Sequence, residues 1–186
     1  EIGKIRRAGR VVAGTIERVL AAVRPNVTTA ELDSVAEEYI LEQGATPSFK
    51  GYGGGAGAGR VPFPASICTS INDEIVHGIP SAERSVDEGD LLKLDFGAIW
   101  EGFHGDSAVT VIVGEPRSAE AEKLVRVTEE ALEAGIAGVR GGAADDCDRR
   151  RGRRAVDHDV MLECRMLFAK ARKAGARTAT LLREGV

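Results

Sequence analysis

Asp95 and Asp106 bracket the segment Leu94-Asp95-Phe96-Gly97-Ala98-Ile99-Trp100-Glu101-Gly102-Phe103-His104-Gly105-Asp106. A tight hairpin centred on Trp100 and Glu101 would set the two aspartates directly across a ladder, on one face of a sheet, with Cβ atoms roughly 4.5–5.5 Å apart. Two ionised carboxylates that close in a partly buried site repel each other unless a proton or a cation lies between them. A pair of divalent metals about 3.5–4 Å apart, chelated and bridged by the carboxylates, suits that chemistry. Asp95 also interrupts the apolar run of Leu91, Leu92, Leu94 and Phe96, where an unpaired charge would cost several kcal/mol. On spacing alone, aspartates in turns or in solvent remain the alternative. His104 shares the face of Asp106 and reads as a side chain packing beside the site or orienting a carboxylate, rather than as a ligand. His77, in Asn72-Asp73-Glu74-Ile75-Val76-His77-Gly78-Ile79-Pro80, reads by residue type alone as an exposed loop histidine.

Elements to position these residues are visible in the patterning. Ile5, Ala8, Val12, Ile16, Val19, Leu20 and Val23 form one stripe of a helix over 1–23, stopped by Pro25 and Asn26. Thr28 and Glu31 make a capping-box pattern that opens a second helix through about Glu42, with Leu32, Ala36, Ile40 and Leu41 inward and Gly44 as its C-terminal cap. The glycine-rich run 51–60 reads as a surface loop, since the strand-before and helix-after of a phosphate cradle are missing. Residues 65–71, 90–99 and 109–113 read as strands. Ser118 caps a last helix over 119–139, with Leu124, Val127, Ala131, Leu132 and Ile136 inward. The expected fold class is α+β.

The totals exclude several classes. A net charge of −4 in 186 residues argues against a nucleic-acid or anionic-membrane partner. No apolar run nears the ~20 residues of a membrane span, and no export signal opens the chain. Cys68, Cys147 and Cys164 lack zinc-site spacing, which fits a reduced, cytoplasmic protein. Glu1 is not an initiator methionine, so the expectation is that residues are missing or were processed from the front. Character changes near residue 140: nine arginines lie in 141–186, five of them between Arg149 and Arg154, and no amphipathic period survives there. The chain is therefore divided into a 1–140 domain and an arginine-rich segment, 141–186.

Together, Asn72–Pro80, Gly89–Gly97 and Gly102–Asp106, with the helices over 1–42 and the segment Gly44-Ala-Thr-Pro-Ser-Phe49, resemble the N-terminal half of type I methionine aminopeptidases. The resemblance covers about residues 2–140. It implies the pita-bread fold, in which two pseudo-symmetric α+β halves enclose a dinuclear centre of divalent metals (manganese, iron, cobalt or zinc). It implies that Asp95 chelates one metal and Asp106 bridges both, and that His77 contacts the substrate at the scissile peptide as a catalytic residue. Cys68, Phe63 and Tyr52 would line the pocket for the methionine side chain. The implied reaction is removal of the initiator methionine from nascent polypeptides with a small second residue, by a cytoplasmic monomer with no membrane or specific nucleic-acid partner.

The family's second half supplies a histidine in a Gly-His-Gly-Ile-Gly setting and two glutamates, and neither motif occurs here. The one later histidine, His158, sits between Asp157 and Asp159 in a segment without resemblance. The expectation is a chain that stops or leaves its reading frame before the site is complete, and so lacks appreciable activity. Two other readings stand beside it. One is a non-catalytic binding module derived from the same fold, which would have no need of paired carboxylates. The other is a basic interaction tail over 141–186, with a helix over Val160–Gly175.

Overall fold

A computed structural model describes residues 1–54 and 61–138. Seven elements follow in order: α1 (Ile2–Ala22), α2 (Thr29–Glu42), β1 (Thr46–Pro47), β2 (Ile67–Ile71), β3 (Leu91–Trp100), β4 (Phe103–Ile112) and α3 (Ala119–Gly138). The expected 141–186 segment, with His158 and the arginine run, lies outside the described residues, as do 55–60 of the glycine-rich loop.

The α1 stripe forms because Ala8, Val11, Val12, Thr15, Ile16 and Val19 recur at helical spacing and are all buried. Thr28 caps α2 as its pattern predicts: its Oγ1 accepts the Glu31 amide at 3.2 Å, while its own amide donates to Glu31 Oε2 at 2.8 Å. Gly44, at φ +68°, turns the chain out of α2.

All four strands form one antiparallel sheet in which β3 is the hub. Its one edge pairs with β4 along its whole length, and its other edge is shared by β2 and the two-residue β1. Alternation then sorts β3 onto two faces. Leu92, Leu94, Phe96 and Ala98 join the core with Val11, Val12, Ile16 and Val19 of α1 and Leu32, Ala36 and Ile40 of α2. On the other face, Leu91 and Ile112 pack against Ala121 and Val125 of α3. Lys93, Asp95 and Gly97 follow along that second face.

Three expectations are corrected. The strand expected over 109–113 is the end of a longer one, Phe103–Ile112, with Val113 just beyond it. Ile5 and Leu41, expected inward, are about half exposed: Ile5 precedes Ala8, the first buried residue of α1, and Leu41 lies off the arc of α2 marked by Thr29, Leu32, Ala36 and Ile40. Leu132 and Ile136 of α3 are also exposed. The α3 stripe exists, but only its first turns reach Leu91 and Ile112, and no described element covers the rest.

Candidate functional site

The hairpin joining β3 to β4 turns one residue later than expected. Trp100 pairs with Phe103, leaving Glu101 and Gly102 as the two-residue loop. Both loop residues have positive φ, +47° and +81°, the type I′ geometry whose twist matches the flanking strands and whose second position favours glycine. A turn at Trp100-Glu101 would have forced a tryptophan into the left-handed region. The pairing therefore shifts by two. Asp106 lies opposite Gly97, and Asp95 opposite Ala108. The aspartates are diagonal rather than direct neighbours, a relation that still brings Cβ atoms within roughly 7–8 Å. A shift of two keeps both on the same face.

Across its other edge, Asp95 pairs with Cys68 of β2. Burial first, and then the negative charge of Asp106, push the Asp95 carboxyl above the usual aspartate range, while His77 and the Phe96 amide pull the other way. Cys68 is a buried free thiol. Burial, followed by the charges of Asp95, Asp33 and Asp106, pushes it up to about 11. At neutral pH that thiol keeps its proton and acts as a small apolar side chain, not as a metal ligand. The face thus holds two hard oxygen donors that repel one another, with an inert thiol as neighbour.

His77 is exposed and sits at φ +60°, an uncommon state for a non-glycine residue. Its charge acts on Asp95, which its loop therefore approaches. The next residue must be glycine: a Cβ on Gly78 would lie 2.1 Å from the Thr69 carbonyl oxygen. That close approach lets the Thr69 amide donate to the Gly78 carbonyl at 2.8 Å, and the Gly78 amide donate to Ser70 Oγ at 3.0 Å.

Not every candidate converges. Tyr52 is 78% exposed. It meets Phe63 at the neck of the glycine-rich loop, where the Phe63 amide donates to the Tyr52 carbonyl at 2.9 Å. His104 is on the Asp106 face, but its Nδ1 lies 3.2 Å from Ser48 Oγ and it pairs with Ile99.

Three neighbours of the site escaped the sequence reading. Phe49 and Ser48 lie over Gly97, where a Cβ would stand 2.8 Å from the Phe49 ring and from Ser48 Cβ. Phe49 therefore walls the face next to Asp106, and the signal was a glycine inside an apolar strand. Asp33 of α2 accepts the amides of Ser66 and Ile67 at 2.8 and 2.9 Å, fixing the start of β2 just before Cys68. A lone aspartate on a helix carries no signal for such a role.

The described residues contain no cluster of three or more histidine, cysteine, aspartate or glutamate side chains able to hold a metal ion. Nor do they contain a helix long and apolar enough to cross a membrane.

Comparison with known proteins follows the same outline. The model of metallopeptidase family M24 matches residues 3–150. The chain is 49% identical over 136 residues to a methionine aminopeptidase of Clostridium acetobutylicum, covering 73% of this chain and 51% of that protein. It is 47% identical over 136 residues to methionine aminopeptidase 1 of Bacillus subtilis, with the same shares, 73% and 51%. Among solved structures, a methionine aminopeptidase from Thermotoga maritima superposes with a TM-score of 0.69 at 37% identity, over 75% of this chain and 53% of that one. The chain spans about half the length of the curated relatives it matches.

Proposed function

The chain belongs to metallopeptidase family M24, and from that premise we propose that it serves the removal of the initiator methionine from nascent polypeptides, in the cytoplasm. Residues 1–140 are the aminopeptidase-like unit of this reading. The observation that carries it is the placement of Asp95 and Asp106 on one partly covered face, with Asp95 raised by burial and by its partner's charge. A carboxylate held above its usual range by burial and a like charge is relieved when a cation binds beside it.

The donor set fits hard or borderline divalent cations: carboxylate oxygens are present, and the one nearby thiol is held in its protonated form. Asp95 and Asp106 would hold the metals, with Asp106 reaching between them. Bound metals supply a water of lowered pKa and polarise a carbonyl. The chain's own groups do the rest of the work in this reading. His77, exposed beside the carboxylates, hydrogen-bonds the substrate at the scissile peptide. Cys68 offers an apolar surface to the methionine side chain, with Phe63 and Tyr52 at the rim. The substrates of this reading are nascent N-termini with a small second residue. Among the described residues two carboxylates are fewer ligands than such cations take, and the chain assayed by itself is expected to release no methionine. Nascent chains are the partner, and the protein acts as a monomer.

The test is a titration of the 186-residue chain with Mn²⁺, followed by paramagnetic broadening of its NMR spectrum, alongside methionine release from a Met-Ala peptide. Broadening is expected at Asp95, Asp106, Cys68 and His77, with a 10–100-fold or greater loss of affinity in Asp106→Asn. Broadening elsewhere, or none, sinks the reading. Turnover that vanishes in Asp106→Asn would refute the expected inactivity and mean that His104, His158 or a partner chain completes the site. A non-catalytic binding module would instead tolerate Asp106→Asn with its peptide binding unchanged.

A further inference from the structure

The loop that carries His77 is fastened at both ends by one side chain. Arg84 Nη1 donates to the Ile79 carbonyl at 2.6 Å, on the far side of His77, and Nη2 donates to Glu74 Oε2 at 2.5 Å, on the near side. Glu74 is itself fixed, because the same Oε2 accepts the Ile71 amide at 2.8 Å at the end of β2. The Arg84 backbone is anchored independently: its carbonyl accepts the Thr29 amide at 2.8 Å and Thr29 Oγ1 at 3.2 Å, in the first turn of α2. Residues 74–79 are thus closed into a ring whose clasp is a guanidinium rooted on the helical layer.

We infer that Arg84 and Glu74 are positioning residues that hold His77 in its left-handed conformation over the carboxylate face. This rests on the role proposed above for His77, but the clasp is a property of the chain's own contacts and is measurable without metal or substrate. A fork of donors suits the task, since it engages a carboxylate and a carbonyl at once. A non-glycine residue at positive φ persists only where its surroundings over-determine it, and here those surroundings are Arg84 on one side and Thr69, Ser70 and Gly78 on the other. The pair is 29% and 42% exposed, so its contribution to global stability is small. Its effect falls on the loop.

Arg84→Met keeps the stem and the backbone contacts to Thr29 but removes the fork. At fixed pH and without metal, the His77 Cα and Cβ chemical shifts are expected to leave left-handed values for extended ones. Amide exchange at Thr69 and Gly78 should rise roughly tenfold or more, as loss of a charge-assisted hydrogen bond allows, while the Tm moves little. Arg84→Lys, which reaches one acceptor at a time, should restore part of the wild-type signature. Glu74→Gln retains an acceptor for Ile71 and weakens only the pairing with Arg84, so it decides the matter if Arg84→Met does not fold; it should move the same signals in the same direction by less. His77 shifts and Gly78 exchange that stay at wild-type values in the folded variants would overturn the inference. A clasp that behaves as expected in a chain that shows no Mn²⁺ broadening at Asp95 and Asp106 would instead sink the metal reading alone.

Discussion

The two faces of the sheet are made from alternate residues of the same strands, yet they obey different rules. On the closed face, Leu92, Leu94, Phe96 and Ala98 are fully buried against α1 and α2. On the open face, Lys93 and Asp95 are only partly covered, and both titrate away from their ordinary ranges, burial being the first cause in each. The contrast teaches how a small sheet can carry charge where charge is costly. Burial of one face fixes the backbone of β3, and the positions between are then free to hold groups that by themselves oppose folding. The open face is stable because its neighbours are.

The sharpest way to break this comparison is to mutate adjacent residues. Phe96→Ala, on the closed face, should cost about 3–5 kcal/mol in urea unfolding, the range for truncating a buried phenylalanine; a loss below 1 kcal/mol would mean that the closed face does not anchor the strand. Gly102→Val should cost about 1–2 kcal/mol by forcing a β-branched residue to positive φ in the turn. It should also blur the β4 cross-strand contacts in NMR, and unchanged contacts at unchanged stability would refute the type I′ loop. The smallest effect has the opposite sign. Asp95 has its folded-state pKa raised, so its stabilising contribution is complete below the unfolded value and is lost as pH rises through the raised value. Asp95→Asn should therefore stabilise the metal-free chain at pH 7, by no more than about 1 kcal/mol after solvent screening, with the gain vanishing near pH 3. A destabilised Asp95→Asn at neutral pH would show that the carboxylate is paired rather than repelled.

Much of the closed face was legible in the sequence, because burial leaves a period. The stripe of α1, the Thr28–Glu31 box and the apolar positions of β3 all follow from spacing. The open face left weaker marks. Type and interval mark the aspartates, but their pairing is displaced by one turn residue, because Glu101 and Gly102, not Trp100, take the positive φ of the turn. Phe49 was hidden because its site position is signalled only by the glycine it covers. The Glu74–Arg84 clasp could not be read at all, since a contact across a loop has no period. In α3, Leu132 and Ile136 belong to a true stripe that the described residues leave uncovered.

The loop at Glu101-Gly102 has a consequence for how this hairpin can vary. Because strand residues alternate sides, a turn lengthened or shortened by one residue, with the register following, would carry Asp106 and His104 round to the helical layer and bring Ser107 and Val109 out in their place. A change of two would merely slide Asp106 along the same side, into line with Asp95 or away from it. Length variation here is quantised: even steps tune the spacing of the acidic pair, and odd steps erase it while burying a charge.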